Sequence, residues 1–366
     1  MRMYGMSPEL AQKLVDCLMK IVPQNINIID RNGVIIASGE KSRIGKLHDA
    51  GLSAIRNNRV EIVPSERGEM KQGINLPFYF RDQICGVVGL SGMVEDTMNV
   101  ASLIKYTIEL MIEQEALLKT RQAAKLMRSQ LLQEWLSREL PPQKDFIDYA
   151  REQQVTVTET TQVALILRAN GAGAPDALRR FGQSCPSCYI ARLREDQLAV
   201  LFNGAAPPDA LRMMRECFPN CPIGLGRAEP VARTSHAQAG MAAFAGDLLY
   251  PERTLHRYDE YKYFASVLAG CGRDAGAHEA ARIGAALEND KGALAQTLLC
   301  YFRNSREQGL SAEMLHIHRN TLIYRLNKIE KLTGKDPRSE LDLFNLICDY
   351  LVYRWQRAER PSPAMQ

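Results

Sequence analysis

The sequence predicts a multidomain α+β protein: an α+β segment over residues 1–125, a second α+β segment over 126–288 and an all-helical segment over 289–366. Three observations predict it. A chain of 366 residues is longer than one hydrophobic core usually serves. Strand-like and helical runs alternate through the first two segments, whereas from about Asp290 every periodic stretch is helical. Between the two mixed segments lies a long helical run with few breakers, ended by Pro141-Pro142.

The totals set bounds on partners. Composition is that of an ordinary soluble globular chain, and a formal charge of +4 is too small to diagnose a polyanion partner, so any nucleic-acid surface has to be local. No apolar run reaches the roughly 18 residues of a membrane span, and "MRMYGMSPEL" lacks the apolar core of a signal peptide. A cytoplasmic protein without membrane association is the expectation. Nine cysteines, an odd number spread over the length, favour reduced thiols over a disulfide framework. Cys185-Pro-Ser-Cys188 and Cys217-Phe-Pro-Asn-Cys221 together hold four thiols, enough for zinc. No basic or histidine-rich setting accompanies them, so buried or incidental cysteines are the preferred reading, and neither metal nor cofactor is expected.

The first segment opens with the helical pattern "PELAQKLVDCLMKIV". Two strand-like runs follow, "NINIID" and "VIIASG", joined by Arg31-Asn32-Gly33, where Asn-Gly tolerates positive φ and marks a tight hairpin. "EKSRIGKLHDAGLSAIRNN" reads as a loop entering a helix, and "GINLPFYFRDQICGVVGLSG" as a second hairpin. Hairpins with short helices between them describe a small sensor module of the PAS type. From about Met98 to Leu140 the pattern is helical. Leu103, Leu110, Leu117, Ala124 and Leu131 recur every seven residues, which suits either pairing with a second helix across a dimer or packing on the helix's own domain.

The middle segment alternates "TQVALILRA", "DALRRFGQ", "CYIARL", "LAVLF", "DALRMMREC" and "PIGLG", then a long helix from Val231 to Leu249 and "TLHRYDEY". This is the order of a ferredoxin-like or cyclase-palm domain. "ARLREDQLAVLF" resembles the GGDEF signature hairpin of diguanylate cyclases. Arg194 and Glu195 stand where that family has phosphate-approaching glycines, Gln197 replaces its glutamate, and only Asp196 survives. A degenerate, non-catalytic GGDEF-like domain is expected, and the enzyme reading, cyclic-dinucleotide turnover, is disfavoured.

The final segment contains "KGALAQTLLCYFRNS", "LSAEMLHI", "RNTLIYRLNKIEKLTG" and "LDLFNLICDYLVYRW". A short helix after Gly309, with Gly309 or Ser311 as N-cap, precedes a tight turn and a second helix starting near His318, which is the spacing of a helix-turn-helix. At 100° per residue Leu322, Ile323, Leu326 and Ile329 form the buried stripe. Asn320, Thr321, Tyr324, Lys328 and Lys331 lie opposite, with Arg325 and Asn327 flanking and Arg319 toward the apolar side. Asparagine pairs with adenine, threonine touches a thymine methyl, and Arg or Lys binds guanine or phosphate. Between His316 and Lys335 five Lys/Arg face one acid, Glu330, a local basic footprint. The candidate DNA contacts are His318, Arg319, Asn320, Thr321, Tyr324, Arg325 and Lys328.

"LHIHRNTLIYRLNKIEKLTG" resembles the C-terminal helix-turn-helix of PucR-type and sugar diacid regulators. "NINIIDRNGVIIASGEKSRIGKLHDAG" and "KQGINLPFYF" resemble the diacid-recognition domain of the carbohydrate (sugar) diacid regulator family. The resemblance covers nearly the whole chain. It implies a bacterial transcriptional regulator, usually an activator, of genes for glucarate, galactarate or glycerate use. From the residues themselves, Arg43 beside Gly45 at the expected start of a helix makes a carboxylate site, with His48 one turn on. Gly73 and Asn75 lie near a strand start, where an amide reads a hydroxyl. Ser38, Ile44 and Ile74 enter the ligand site through the resemblance alone, the last two by backbone groups. The expected partners are therefore a small hydroxy-carboxylate or sugar diacid, a double-stranded DNA operator and a second copy of the chain. The competing readings are the enzyme above and a signalling module that does not touch DNA.

Overall fold

The computed structural model describes residues 6–66, 71–171, 173–270, 275–289 and 291–358. The start of "MRMYGMSPEL", residues 1–5, lies outside them. The chain divides into two compact units, residues 1–125 and 126–366.

In the first unit, α1 (Pro8–Leu18) begins where the Ser7 hydroxyl accepts the N–H of Leu10 at 3.3 Å, with proline as its first residue. Strands β1 (Ile26–Asp30) and β2 (Ile35–Ser38) make the expected hairpin. The Asp30 carboxylate accepts the N–H groups of Asn32 and Val34, and Gly33 takes φ 81°. Next come α2 (Asp49–Asn57), β3 (Glu61–Val63), β4 (Gly73–Phe80) and β5 (Gln83–Ser91). The β4–β5 turn places Arg81 and Asp82 both at positive φ, a primed turn made without glycine. The five antiparallel strands run in the order β2-β1-β5-β4-β3. One face packs Ile28, Ile74, Val88 and Leu90 against α1 and the long helix α3 (Val94–Ser137). The other carries Ile29, Ile35 and Val87 under Ala54 of α2.

The structure separates the stripes of α3. Ala101, Ile104, Ile108 and Ile112 pack on the helix's own sheet, while Leu103, Leu110 and Leu117 of the seven-residue repeat point outward. Leu131, the last of that repeat, is buried in the second unit.

The second unit follows with α4 (Lys144–Glu152), β6 (Thr161–Leu167), α5 (Ala174–Ser184), β7 (Cys188–Arg194), β8 (Gln197–Asn203), α6 (Pro208–Cys217) and β9 (Ile223–Glu229). Then come α7 (Ala232–Leu249), β10 (Leu255–Arg257) and α8 (Tyr258–Gly270). The sheet order is β10-β9-β6-β8-β7, with β10 parallel to β9 and the rest antiparallel. Phe181 of α5 and Met214 of α6 cover one face. The end of α3, with Leu131, Trp135 and Leu136, covers the other together with α4 and α7. Gly224 is required for that closure, because a Cβ there would lie 1.9 Å from the Ala239 carbonyl oxygen. In the hairpin compared with cyclases, the Arg192 guanidinium donates to the Glu195 carbonyl, and the Asp196 carbonyl accepts from Ala169 N–H. Cys188 donates its thiol to the Cys185 carbonyl, and burial pushes that thiol up to about 12. Burial also raises the Cys185, Cys217 and Cys221 thiols.

Among the described residues five helices follow: α9 (Ala275–Glu288), α10 (Ala293–Arg303), α11 (Gln308–Met314), α12 (Arg319–Thr333) and α13 (Glu340–Ala358). Their core is continuous with the preceding helices, joining Ala245 and Leu249 of α7 and Ile283 and Leu287 of α9 to Leu298, Leu326, Leu346 and Leu351.

Candidate nucleic-acid interface and ligand cleft

Helix α11 differs from expectation. It starts at Gln308 after Glu307, so Gly309 and Ser311 lie inside it and neither caps it. Ser311 is buried and turns its hydroxyl back to the Glu307 carbonyl at 2.6 Å. Ala312 is buried, and Leu315 and Ile317 pack on the core from the turn. His316 takes φ 53° in that turn. Helix α12 opens at His318, whose Nδ1 accepts the N–H of Asn320 at 3.1 Å. An acceptor at Nδ1 puts the ring proton of the neutral imidazole on Nε2, leaving a donor at the helix mouth. Leu322, Leu326 and Ile329 have no exposed surface, each worth about 1.5–3 kcal/mol of burial. Ile323 is only half-buried, and Thr333 takes its place in the stripe, with its hydroxyl donated to the Ile329 carbonyl.

The opposite face is open. Arg319, Asn320, Thr321 and Lys331 are exposed, and Tyr324 is 63% exposed. Arg319, expected toward the apolar side, lies at the surface with its guanidinium 3.4 Å from the Gln308 side-chain oxygen. Arg325 is half-buried and donates to the Thr297 hydroxyl of α10 at 3.3 Å, so its guanidinium turns toward the scaffold. Lys328 is half-buried and engaged. Lys335 pairs with Asp349 at 2.6 Å, which removes one of the five local cations from the outer face. Arg338, just beyond the helix, is likewise held by Glu330, Asp336 and Asn327.

In the first unit, Arg43 and His48 line a cleft of about 370 Å³ together with Lys46, Lys71, Glu40 and Glu66. The expected helix start at Gly45 is not observed. Gly45 takes φ 84° in a turn and donates its N–H to the Ile35 carbonyl at 2.8 Å, while Ile44 donates to Lys41 at 3.2 Å. Helix α2 begins four positions later, at Asp49, with His48 as its cap: Nδ1 accepts from Gly51 N–H at 3.0 Å. Burial, and then the neighbouring Arg43 charge, lower the His48 pKa, in keeping with a neutral ring that donates from Nε2. Lys71 reaches Glu40 across the cleft in an ion pair that holds the Glu40 carboxyl below its ordinary value.

The other expected ligand residues lie in the sheet. Strand register sets Ser38, Asn27, Gly89, Asn75 and Glu61 in one row across all five strands. Ser38 is fully buried, donating to Asn27 Oδ1 at 2.7 Å and accepting from Glu40 N–H at 3.1 Å. Asn75 is buried with no hydrogen-bond partner on Oδ1, and its Nδ2 reaches the Glu61 carbonyl at 3.4 Å. Ile74 lies in register between Leu90 and Ile62, its side chain in the core, and a Cβ at Gly73 would lie 2.2 Å from the Leu90 carbonyl. Residue reading missed Lys46, Lys71 and Asn27. Lys46 stands three residues after Arg43, whereas Lys71 meets Glu40, and Asn27 meets Ser38, only through chain reversal and strand register, which carry no local signal.

Residues 6–135 match the family model for sugar diacid recognition, and residues 294–352 match that of the PucR C-terminal helix-turn-helix domain. The carbohydrate diacid regulator of Escherichia coli (strain K12) is 27% identical over 96% of this chain and 97% of that protein. An uncharacterized protein of Haemophilus influenzae is 29% identical over 93% of this chain and 96% of its own length. The transcriptional activator PmfR of Paenarthrobacter nicotinovorans shares 44% identity over 50 residues, 14% of this chain and 11% of that protein.

Proposed function

We propose, from the premise that this chain is a member of the sugar diacid regulator family joining a sugar diacid recognition domain to a PucR-type helix-turn-helix, that it is a ligand-responsive, DNA-binding transcriptional regulator. Its target is double-stranded DNA, read in the major groove by the start of α12. Its ligand is a small hydroxy-carboxylate or sugar diacid such as glucarate, galactarate or glycerate, held in the first unit. It acts in the cytoplasm, as an activator of genes for use of that ligand, without chemistry of its own. The first unit is read as PAS-like and the β6–β9 sheet as a GGDEF-like relative without the nucleotide-approaching glycines.

The observation that carries this reading is the asymmetry of α12. Leu322, Leu326 and Ile329 are fully buried, while Asn320, Thr321 and Tyr324 stand exposed around a capped N-terminus, the arrangement by which a recognition helix offers its first turns to base edges. Asn320 and Thr321 are assigned to bases, with Tyr324, His318 and Arg319 beside them. Arg325 and Lys328 take part at the margin through their outer atoms. In the first unit Arg43 and Lys71 supply charge for a carboxylate, His48 a neutral donor, and the Ser38–Asn27–Asn75 row amide and hydroxyl groups. Gly45, Ile44, Gly73 and Ile74 shape the loop and strand that hold them. Ligand binding biases α3, the continuous helix that leaves the sensor sheet and ends in the core of the second unit, by its differential affinity for two arrangements.

The test is selection of genomic fragments by the purified full-length chain, followed by gel shift. Sequence-specific binding that weakens in Asn320→Ala supports the regulator; absence of sequence-specific binding by the wild-type chain favours an interaction module.

A further inference from the structure

We propose that the outer face of α3 between Glu109 and Lys125 docks a second copy of this chain, the two helices running antiparallel with their midpoint near Leu117. This deepens the regulator reading above and rests on it for the need of two half-site readers. The face is surplus to the chain's own fold. Leu103, Leu110 and Leu117 are 69%, 59% and 52% exposed, with Tyr106 and Leu118 equally open beside them. The stripe on the other side, Ala101, Ile104, Ile108 and Ile112, already fills the sheet contact. A contiguous apolar row of this kind on a soluble chain marks an interaction surface, and its seven-residue spacing fits another helix.

Charge selects the occupant and its direction. Glu109, Glu113 and Glu115 lie upstream of Leu117 with no base among residues 109–115, and Lys119, Arg121 and Lys125 lie downstream with no acid among residues 119–125. Glu109 accepts the Tyr79 N–H, and Glu115 pairs with Lys119 within the helix. Glu113 and Arg121 have no ion-pair partner among the described residues, and they stand four residues either side of Leu117. An antiparallel copy sets each Glu113 against Arg121 of the other copy, twice by the two-fold symmetry. A parallel, in-register copy would instead oppose Glu113 to itself on the apolar seam, where like charges repel. Leu117 and Glu113 also border a cleft of about 480 Å³ walled by Phe80 and Arg81 at the β4–β5 turn, which gives the partner helix a flank to lie against.

The experiment is sedimentation of the full-length protein, without DNA or ligand, over a concentration series. Wild type forms dimers. Glu113→Arg and Arg121→Glu each weaken them by about tenfold or more, since each creates two like-charge contacts. Combining both changes in one chain restores the contact, and an equimolar mixture of the two single variants forms mixed dimers. All these positions are exposed, and unchanged thermal melting of each variant shows that folding is intact. A monomeric wild type, single variants that dimerise normally, or a double variant as weak as the singles would overturn the proposal. So would self-crosslinking of Glu113→Cys, which marks a parallel pair. Such failure with operator binding intact removes only the interface, whereas loss of specific DNA binding removes the regulator reading itself.

Discussion

The His318 imidazole accepts the backbone N–H of Asn320 at 3.1 Å, so the residue that opens α12 fixes the backbone of the residue most suited to read a base. Replacing His318 by Ala removes that acceptor and is expected to cost about 1 kcal/mol in chemical denaturation. His318→Asn keeps a cap oxygen and is expected to stay within a few tenths of wild type, as N-cap Asn is a favoured residue.

Asn320→Ala is expected to lower operator affinity by about 1–3 kcal/mol while nonspecific binding stays nearly level, since a base contact carries sequence discrimination. Gel shifts with specific and scrambled duplexes measure both. Equal losses on the two duplexes would assign Asn320 to the phosphate backbone.

Lys331 and Lys335 are both cations at the end of the same helix, but only Lys331 is exposed and Lys335 is held by Asp349. Lys331→Ala is expected to reduce the slope of log affinity against log salt by about 1, the share of a single neutralised phosphate. Lys335→Ala is expected to leave that slope unchanged and lower the melting temperature instead.

Arg43 and Lys71 line the same cleft. A thermal-shift panel of glucarate, galactarate, glycerate and tartrate is expected to raise the melting temperature of wild type for at least one ligand. For the dianions glucarate, galactarate and tartrate, Arg43→Ala and Lys71→Ala are each expected to abolish that rise, because either cation alone leaves one carboxylate unpaired. Stabilisation that survives both substitutions would move the carboxylate site elsewhere.

His48 carries a pH dependence with a definite sign. Its folded pKa is lowered from 6.5, by burial first and Arg43 second. Above 6.5 both folded and unfolded chains hold it neutral, and its stability is fully present. As pH falls below that value the unfolded chain takes up the proton first, so stability declines until the lower folded value is passed. The melting temperature is expected to fall between about pH 7.5 and 5.5, and less so in His48→Asn, which keeps a cap acceptor without a titrating ring. An equal fall in both proteins would assign the effect to other groups.

The elements that sequence discloses are those whose signal is local. The Asn32-Gly33 pair disclosed the first hairpin, and the spacing of Leu322, Leu326 and Ile329 disclosed the buried side of α12. Helix starts were harder. Gly45 has the look of a helix entrance but serves a positive-φ turn, and His48, outside the usual Ser/Thr/Asp/Asn cap set, begins α2 instead. Glu307 concealed the start of α11 in the same way. Of the residues lining the candidate cleft, only those close in sequence, such as Arg43 and His48, could be grouped in advance. Lys71 arrives from the segment just before β4, and the apolar repeat of α3 could not say which of its two stripes the fold would keep for itself.

The continuity of the core from Ala245 and Leu249 through Ile283 to Leu326 and Leu346 has a bearing on how such proteins diversify. A reader whose floor is built from the helices of its neighbour is not a cassette. Exchange of operator specificity between members of this architecture has to proceed by altering outward side chains of α12, or else by transferring α7 to α13 as one block, because a cut at the loop before α10 would hand over a reading head with half its foundations left behind.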